Sequence, residues 1–419
     1  MVQQAIVMRI LFLSRRYFPA ISGMSVYAQN LLRELAEAGH DVTMVSQYRG
    51  DEFGTRVYGG GPPPPVPGVT VIGLEQVGEQ TSGDFERDIA TMVETIRVEH
   101  AKKPFDVLHA QYGYPTGWAA LLAGKRLGVP TVVSIQGGDG HWVGSCCETH
   151  RLGMRYVLDN ANALLIGGAS FVEEVCGRLG SDPARFTIVP GAVDTARFAQ
   201  PTPDGLPMPH SGPARILYHG RVDRRKGVLD FIEALAILRE QGTPFAATIS
   251  GIGPDVDPAK ALADKHGFGP EAIRFTGYAE YGTVPALYRE ADIFASPTYA
   301  EGFSNTILEA MAAGLAVVSC HAVGVSDCLR DGENGLLTMP GDVPAQAEAL
   351  TRAIRDGDLR RSLAAAGLEE CRRVYSWQAV GRQIMGIYAD VVGRRPATDF
   401  PDDLPLDLSC RFRMEPHLL

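Results

Sequence analysis

Two glutamates flank a predicted helix start in a stretch that could bind an anion. Residues 298–314 read TYAEGFSNTILEAMAAG, with Glu301 in the loop and Glu309 just inside the helix. The first amides of a helix lack partners within it and lie at the positive end of its dipole, which suits a phosphate. The letters from Thr306 to Glu309 also fit a capping box, in which Glu309 accepts a hydrogen bond from the Thr306 amide. Both interpretations of Glu309 stay open.

A second stretch concentrates cations at another strand-to-helix turn. Residues 220–227 read GRVDRRKG, and they lie between a short apolar run and a helical pattern. Taken alone, such charges are typical of a solvated loop. This turn precedes the glutamate stretch by about 75 residues and has the same strand, loop and helix setting.

In this order, the two stretches resemble the C-terminal half of retaining GT-B glycosyltransferases, specifically glycosyltransferase family 4. The segment 188–198 (IVPGAVDTARF) resembles the hinge of that family, with Gly191 in place of an asparagine. The resemblance extends from Met8 to about Gly393. It implies an α/β protein of the GT-B fold, with two Rossmann-like domains whose parallel sheets face each other across a cleft.

The resemblance also implies an activity and a site. The expected protein is a retaining glycosyltransferase that moves a hexose-type sugar from a nucleotide sugar, with UDP favoured, to the hydroxyl of a small molecule or a lipid-linked saccharide. Arg221 and Lys226 match the phosphate-binding pair of the family. Glu301 would orient the transferred sugar, and Glu309 would bind the ribose hydroxyls. Further donor-binding positions are Gly23, Met24, Phe303, Ser304 and Asn305 through their amides, and Gly277 and Tyr278 beside the base.

The N-terminal half departs from the family pattern on the acceptor side. Gln136 stands where many relatives have a histidine, and because glutamine does not titrate, it cannot be a base. Asp139 is the acceptor-side candidate, with a plain turn residue as the alternative. His109 and His141 are further candidates, although a lone histidine is more often structural. The resemblance implies a front-face mechanism, in which the leaving diphosphate takes the acceptor proton.

Other features of this half allow two interpretations each. Met24 occupies a position where the family usually has glycine, so its side chain could narrow the sugar pocket. The pair Arg15 and Arg16 could meet an acidic acceptor or extend into water.

Short apolar runs and amphipathic stretches alternate along the chain, which predicts parallel strands joined by helical crossovers. Residues 59–67 (GGGPPPPVP) interrupt this alternation, and they predict a surface loop. The proline-rich segment 199–213 predicts a domain boundary. The predicted parts are an N-terminal acceptor domain (1–200), a donor domain (201–375), a helix that returns to the first domain (376–395) and a loosely packed tail (396–419).

The composition narrows the classes of partner. A formal net charge of −10 argues against nucleic acid, and no basic amphipathic helix favours peripheral contact with a membrane. The seven cysteines form no CxxC pair and have no histidine at zinc spacing, so we expect reduced thiols in a cytoplasmic protein. Apart from the nucleotide sugar, no cofactor and no essential metal are expected. Asp255 and Asp257 are interpreted as solvated acids.

Three alternatives remain. A sugar-nucleotide epimerase of the same fold would use the same donor site. A catalytically degenerate nucleotide-sugar-binding protein would fit the departures at Gln136 and Met24. A dehydrogenase is least favoured, because residues 14–23 lack a glycine fingerprint and a lone GxG at 251–253 is a weak signal.

Overall fold

The computed structural model describes residues 7–50, 60–137, 144, 146–410 and 413. The chain forms two compact units. The first contains the residues up to Pro190 and those from Val380 onward, and the second is Gly191–Ala379. Among the described residues, no helix combines the length and apolar character needed to cross a membrane.

The first unit is built on a seven-stranded parallel sheet with the order β3-β2-β1-β4-β5-β6-β7. Its strands are β1 (Arg9–Ser14), β2 (Asp41–Tyr48), β3 (Val69–Glu75), β4 (Val107–Gln111), β5 (Thr131–Ile135), β6 (Ala163–Ile166) and β7 (Phe186–Ile188). Its helices are α1 (Gly23–Glu37), α2 (Val77–Ser82), α3 (Phe85–Lys102), α4 (Trp118–Leu127), α5 (Glu148–Asn160) and α6 (Ala169–Leu179).

The second unit is built on a six-stranded parallel sheet with the order β10-β9-β8-β11-β12-β13. Its strands are β8 (Ala214–His219), β9 (Phe245–Ser250), β10 (Ile273–Gly277), β11 (Ile293–Ser296), β12 (Ala316–Cys320) and β13 (Leu336–Thr338). Its helices are α7 (Thr195–Phe198), α8 (Val228–Glu240), α9 (Val256–Lys265), α10 (Val284–Arg289), α11 (Asn305–Ala312), α12 (Val343–Arg355) and α13 (Gly357–Val374); α14 (Trp377–Val391) begins in this unit and ends in the first.

The apolar runs explain the central strands. Strand β1 reads RILFLS and is buried almost throughout, as expected for a parallel strand covered by helices on both faces. Helix α1 begins at the cap Ser22 and buries Leu31, Leu32 and Leu35 against the sheet. The predicted alternation of strands and helices is therefore confirmed.

Both sheets reverse their strand order at equivalent places. In the first sheet the chain leaves β1 toward β2 on one side and later places β4 on the other; in the second, β8 lies between β9 and β11 in the same way. The loops after the two central strands diverge at such a point and leave a crevice that commonly binds ligands. The sequence-predicted residues of both units concentrate there.

The segment before the proline-rich stretch 199–213 already belongs to the second unit. Val193 and Phe198 are buried in its core, and the Val193 amide donates to the Tyr375 carbonyl. A Cβ at Gly191 would lie 2.5 Å from the Phe303 ring, so glycine lets this segment pack against the donor loop. The described part of the loop 59–67 lies at the surface, as predicted.

The described part of the tail, residues 396–410, is anchored on the first unit at two buried positions, which corrects the expectation of a loose extension. Phe400 and Cys410 are buried. The Lys125 ammonium donates to the Phe400 carbonyl at 2.6 Å, and the Phe400 ring lies beside Trp118. The prolines of this segment disfavour a helix. Phe400 and Cys410 nevertheless pack into apolar sites on the first unit.

Candidate donor-binding site

The loop after β8 is held close to the loop after β11 by a glycine. Gly227 has φ 71°, and a Cβ there would overlap the Pro297 carbonyl oxygen. A side chain at this position would therefore push the two loops apart. On the other side, the Val222 amide donates to the Ile252 carbonyl at 2.9 Å, so the GxG turn at 251–253 supports the cationic loop.

All four cations in this loop contact carboxylates, and Arg224 and Arg225 form close ion pairs with aspartates. The Arg224 guanidinium donates to Asp255 Oδ1 at 2.7 Å, and Arg225 donates to Asp223 Oδ2 at 2.8 Å. Hydrogen bonds from Arg225 hold the pKa of Asp223 at about 2. Arg221 makes a longer contact with Asp223, 3.3 Å from Nε, and its side chain is 54% exposed. Arg224 and Arg225 are exposed, as expected, but ion-paired, whereas Arg221 extends toward solvent.

Lys226 lies beside the first predicted glutamate. Its Nζ is 2.7 Å from Glu301 Oε2 and donates to the Ala300 carbonyl at 3.2 Å. The Glu301 amide donates to the Val323 carbonyl, which fixes the backbone of the loop. The structure therefore brings together the cation and the carboxylate that the sequence placed about 75 residues apart.

Helix α11 has no side-chain cap. Its N-cap residue is Ser304, whose side chain makes no capping bond. Because the helix begins at Asn305, Thr306 lies inside it and Glu309 lies a full turn from its start. The capping-box interpretation of Glu309 is therefore wrong, and among the described residues no carboxylate caps the first-turn amides.

Glu309 is linked instead to a buried tyrosine. The Tyr288 hydroxyl donates to Glu309 Oε2 at 2.7 Å. Burial raises the pKa of Glu309 to about 7. The Tyr288 ring packs edge-on against His219, whose Nδ1 is 3.2 Å from Ser250 Oγ, and burial lowers the pKa of His219 to about 4.

Sequence reasoning missed Tyr288 and His219. His219 is the last residue of a strand at the point where the strand order reverses, which is a usable signal. Tyr288 gives no such signal, because it lies on a short helix and reaches Glu309 only through the fold. Tyr278 follows Gly277 at the end of β10, and its side chain is 48% exposed.

The equivalent place in the first unit is lined by neutral groups. Gly23 and Met24 open helix α1, where Ser22 Oγ accepts a hydrogen bond from the Ser25 amide. Gln111, the last residue of β4, donates from Nε2 to the Met24 carbonyl and to Gln136 Oε1, both at 3.0 Å. We call Ser14, Gln111 and Gln136 the amide cluster, because Ser14 Oγ donates to Gln111 Oε1 at 3.0 Å. Gln111 was missed by sequence reasoning.

Comparisons with known proteins identify the family. Residues 22–192 match the family model for the glycosyl transferase 4-like domain, and residues 209–370 match the model for glycosyl transferases group 1. The chain belongs to the family-4-like glycosyltransferases of the GT-B fold. This membership leaves the dehydrogenase alternative without support.

Individual relatives align with most of the length of this glycosyltransferase. A glycogen synthase from Mycobacterium tuberculosis is 28% identical over 91% of this chain and 94% of its own length. A D-inositol 3-phosphate glycosyltransferase from Salinispora tropica is 27% identical over 90% and 83%. The structure of a sucrose-phosphate synthase from Thermosynechococcus elongatus superposes with a TM-score of 0.74 at 24% identity, over 92% of this chain and 99% of that one.

Two other residues that the sequence suggested for the acceptor side have structural roles. His109 is buried between the Tyr388 hydroxyl and Ser134 Oγ, and burial lowers its pKa to about 3. Arg15 is neither solvated nor open to an acidic acceptor, because its buried guanidinium lies 2.7 Å from Glu79 Oε2. Asp139 and His141 lie outside the described residues.

Proposed function

We propose that this glycosyltransferase moves a hexose-type sugar from a nucleotide sugar, with UDP as the first candidate, to an acceptor hydroxyl with retention of configuration. The observation that carries the proposal is the convergence of Lys226, Glu301 and the uncapped start of α11 on one edge of the second sheet. The Arg221 loop adjoins this edge, since a Cβ at Gly220 would lie 4.0 Å from the Thr306 methyl group.

The cations and the helix amides would act on the leaving group. When the bond between the anomeric carbon and the donor diphosphate breaks, negative charge grows on the phosphate oxygen. Arg221, Lys226 and the first amides of α11 stabilise that charge more than they stabilise the intact donor. The acceptor oxygen bonds to the anomeric carbon on the same face, and its proton passes to the departing diphosphate.

The two glutamates would select the ligand by accepting hydrogen bonds. Glu301 accepts from the hydroxyls of the transferred sugar, and the Lys226 ammonium, 2.7 Å away, orients this carboxylate. Glu309 accepts from the ribose hydroxyls with the oxygen that Tyr288 leaves free for a ligand. Two carboxylates with different partners would thus divide recognition between the sugar and the nucleoside.

The acceptor would be bound by the first unit. The amide cluster offers neutral donors and acceptors, which suit hydroxyl groups. Gln136 and Asp139 remain the proposed acceptor-side residues. The names of the two relatives, a glycogen synthase and a D-inositol 3-phosphate glycosyltransferase, support a saccharide or a polyol as the first acceptors to assay.

The experiment is a transferase assay with UDP-, GDP-, ADP- and TDP-hexoses and a panel of saccharide and polyol acceptors. We expect acceptor-dependent release of one nucleoside diphosphate and a product with the anomeric configuration of the donor. Glu301→Gln should lower turnover by about 10²–10³-fold, as for loss of a transition-state contact. Arg224→Ala is the matched control, because Arg224 lies in the cationic loop but binds Asp255.

Three outcomes would contradict the proposal. Conversion of the donor sugar without nucleotide release would indicate an epimerase. Nucleotide binding without turnover for any donor would indicate a degenerate binding protein. Equal activity of wild type and Glu301→Gln would remove Glu301 from the reaction.

A further inference from the structure

Three cysteines and one histidine meet in the first unit. One ligand atom from each of Cys146, Cys147, His150 and Cys410 lies within 4.8 Å of the others. His150 Nδ1 is 2.8 Å from Cys146 Sγ and 3.6 Å from Cys410 Sγ. None of these cysteines forms a disulfide. We call these four residues the thiol cluster.

Local structure places three members of the thiol cluster at one helix start. Cys147 is the N-cap of α5, and its Sγ accepts from the His150 amide at 3.5 Å. Cys146 precedes it, four positions before His150. The start of a helix turns the side chains of these three residues toward one point, although the sequence contains no CxxC pair.

The C-terminal tail contributes Cys410, the fourth member of the thiol cluster. Thr149 Oγ1 donates to the Pro405 carbonyl at 2.6 Å and accepts from the Asp407 amide at 2.7 Å. These bonds lay the tail along the start of α5 and bring Cys410, 260 positions after His150, into the cluster. The sequence expectation that no cysteine has a histidine partner at zinc spacing overlooked the local set Cys146, Cys147 and His150, and it could not include Cys410, which is distant in sequence.

The dimensions of the thiol cluster suit a single tetrahedral ion. Zinc bound by sulfur at about 2.3 Å and by nitrogen at about 2.0 Å has ligand atoms roughly 3.5–3.8 Å apart. His150 Nδ1 lies 2.8 Å from Cys146 Sγ and 3.6 Å from Cys410 Sγ, and all four ligand atoms lie within 4.8 Å of one another. These separations bracket that range. Thiolates and imidazole are also the usual ligands of structural zinc sites.

We propose that Cys146, Cys147, His150 and Cys410 bind one zinc ion that fastens the C-terminal tail to the first unit. Four protein ligands fill a tetrahedral site, so the ion has no open position for a substrate and is structural. His150 and Cys410 are fully buried, and the His150 ring packs against Phe85 and Tyr114, which shields the ion from water. The inference is independent of the donor site.

The first test measures metal in the full-length protein purified under reducing conditions without chelator. Elemental analysis should find one zinc ion per chain. Replacement of zinc by cobalt(II) should give the intense visible absorption of a tetrahedral thiolate site. Neither measurement requires a variant, so a failure of any variant to fold leaves the test intact.

The second test uses variants. Cys410→Ser and Cys147→Ser should lower the zinc content by about tenfold or more, and a chelator should lower the melting temperature of wild type but not of Cys410→Ser. Cys176→Ser is the matched control, because Cys176 lies in the first unit outside the thiol cluster. It should retain wild-type zinc.

The proposal is overturned if wild type holds no stoichiometric zinc after incubation with the ion and gives no thiolate band with cobalt(II). It is also overturned if mass spectrometry finds a disulfide among Cys146, Cys147 and Cys410 in the reduced preparation. Zinc loss in Cys176→Ser equal to that in Cys410→Ser would place the ion elsewhere.

Discussion

The two sheets share a strand order but differ in what their crevices contain. In the second unit, the edge beside β8 and β11 carries Arg221, Lys226 and Glu301. In the first unit, the edge beside β1 and β4 carries the neutral amide cluster. The crevices occupy equivalent places in the two sheets, and we propose that their side chains select a charged diphosphate in the second unit and a hydroxyl in the first.

The use of charge differs in the same way. Arg15 and Glu79 of the first unit are both buried, with side chains 6% and 2% exposed, and they bind each other. Arg221 of the second unit is half exposed and makes only a longer contact with Asp223. We expect the buried pair near the first crevice to stabilise the fold, and we propose that the half-exposed Arg221 near the second binds a ligand.

The largest expected effect tests the structural role of charge in the first unit. Glu79→Ala leaves the buried Arg15 guanidinium without its carboxylate and should lower the free energy of unfolding by about 3–5 kcal/mol. Urea titration measures the change. Glu94→Ala is the control, because it removes an exposed ion pair with Arg97 and should have a much smaller effect. Equal losses in both variants would break the comparison.

A smaller effect is expected for the amide cluster. Gln111→Ala removes the hydrogen bonds that the buried Gln111 side chain makes to Ser14, the Met24 carbonyl and Gln136, and should lower the free energy of unfolding by about 1–3 kcal/mol. Gln111→Met retains the side-chain volume and separates packing from hydrogen bonding. Full recovery of stability in Gln111→Met would show that packing alone explains the loss.

The last expected effect concerns the pH dependence of stability in the second unit. Burial raises the pKa of Glu309 from its ordinary 4.5 to about 7, so the folded state holds this proton more tightly than the unfolded state. Stability should therefore fall as pH rises from 4.5 to 7 and then level off, and a shift of this size corresponds to at most about 3 kcal/mol.

Glu309→Gln should remove that part of the pH dependence. Urea titrations of wild type and Glu309→Gln at a series of pH values measure it as a difference between the two proteins. A difference that is constant across this range would contradict the raised pKa of Glu309.

The sequence predicts some residues of the candidate sites better than others, for a physical reason. Lys226, Glu301 and the start of α11 follow strands directly, so strand and helix patterns locate them. Gln111 and Tyr288 acquire their contacts from strands and helices that are distant in sequence. No local pattern predicts such contacts, which is why both residues were missed.

The wrong expectations have the same origin. The capping box at Thr306 failed because the helix begins one residue before it, and helix starts vary by a residue or two for a given pattern. Arg15 was expected to face an acceptor or water, but the turn of α2 brings Glu79 to it. The packed tail depends on apolar sites that only the folded first unit offers.

The most direct test of the central claim is a calorimetric titration of wild type and Arg221→Ala with UDP, GDP, ADP and TDP. The claim is that the second crevice binds the donor diphosphate through its cations. Wild type should bind one nucleotide selectively, Arg221→Ala should weaken that binding by about 2–4 kcal/mol, and Arg224→Ala should leave it unchanged. A change below about 0.5 kcal/mol in Arg221→Ala would contradict the claim.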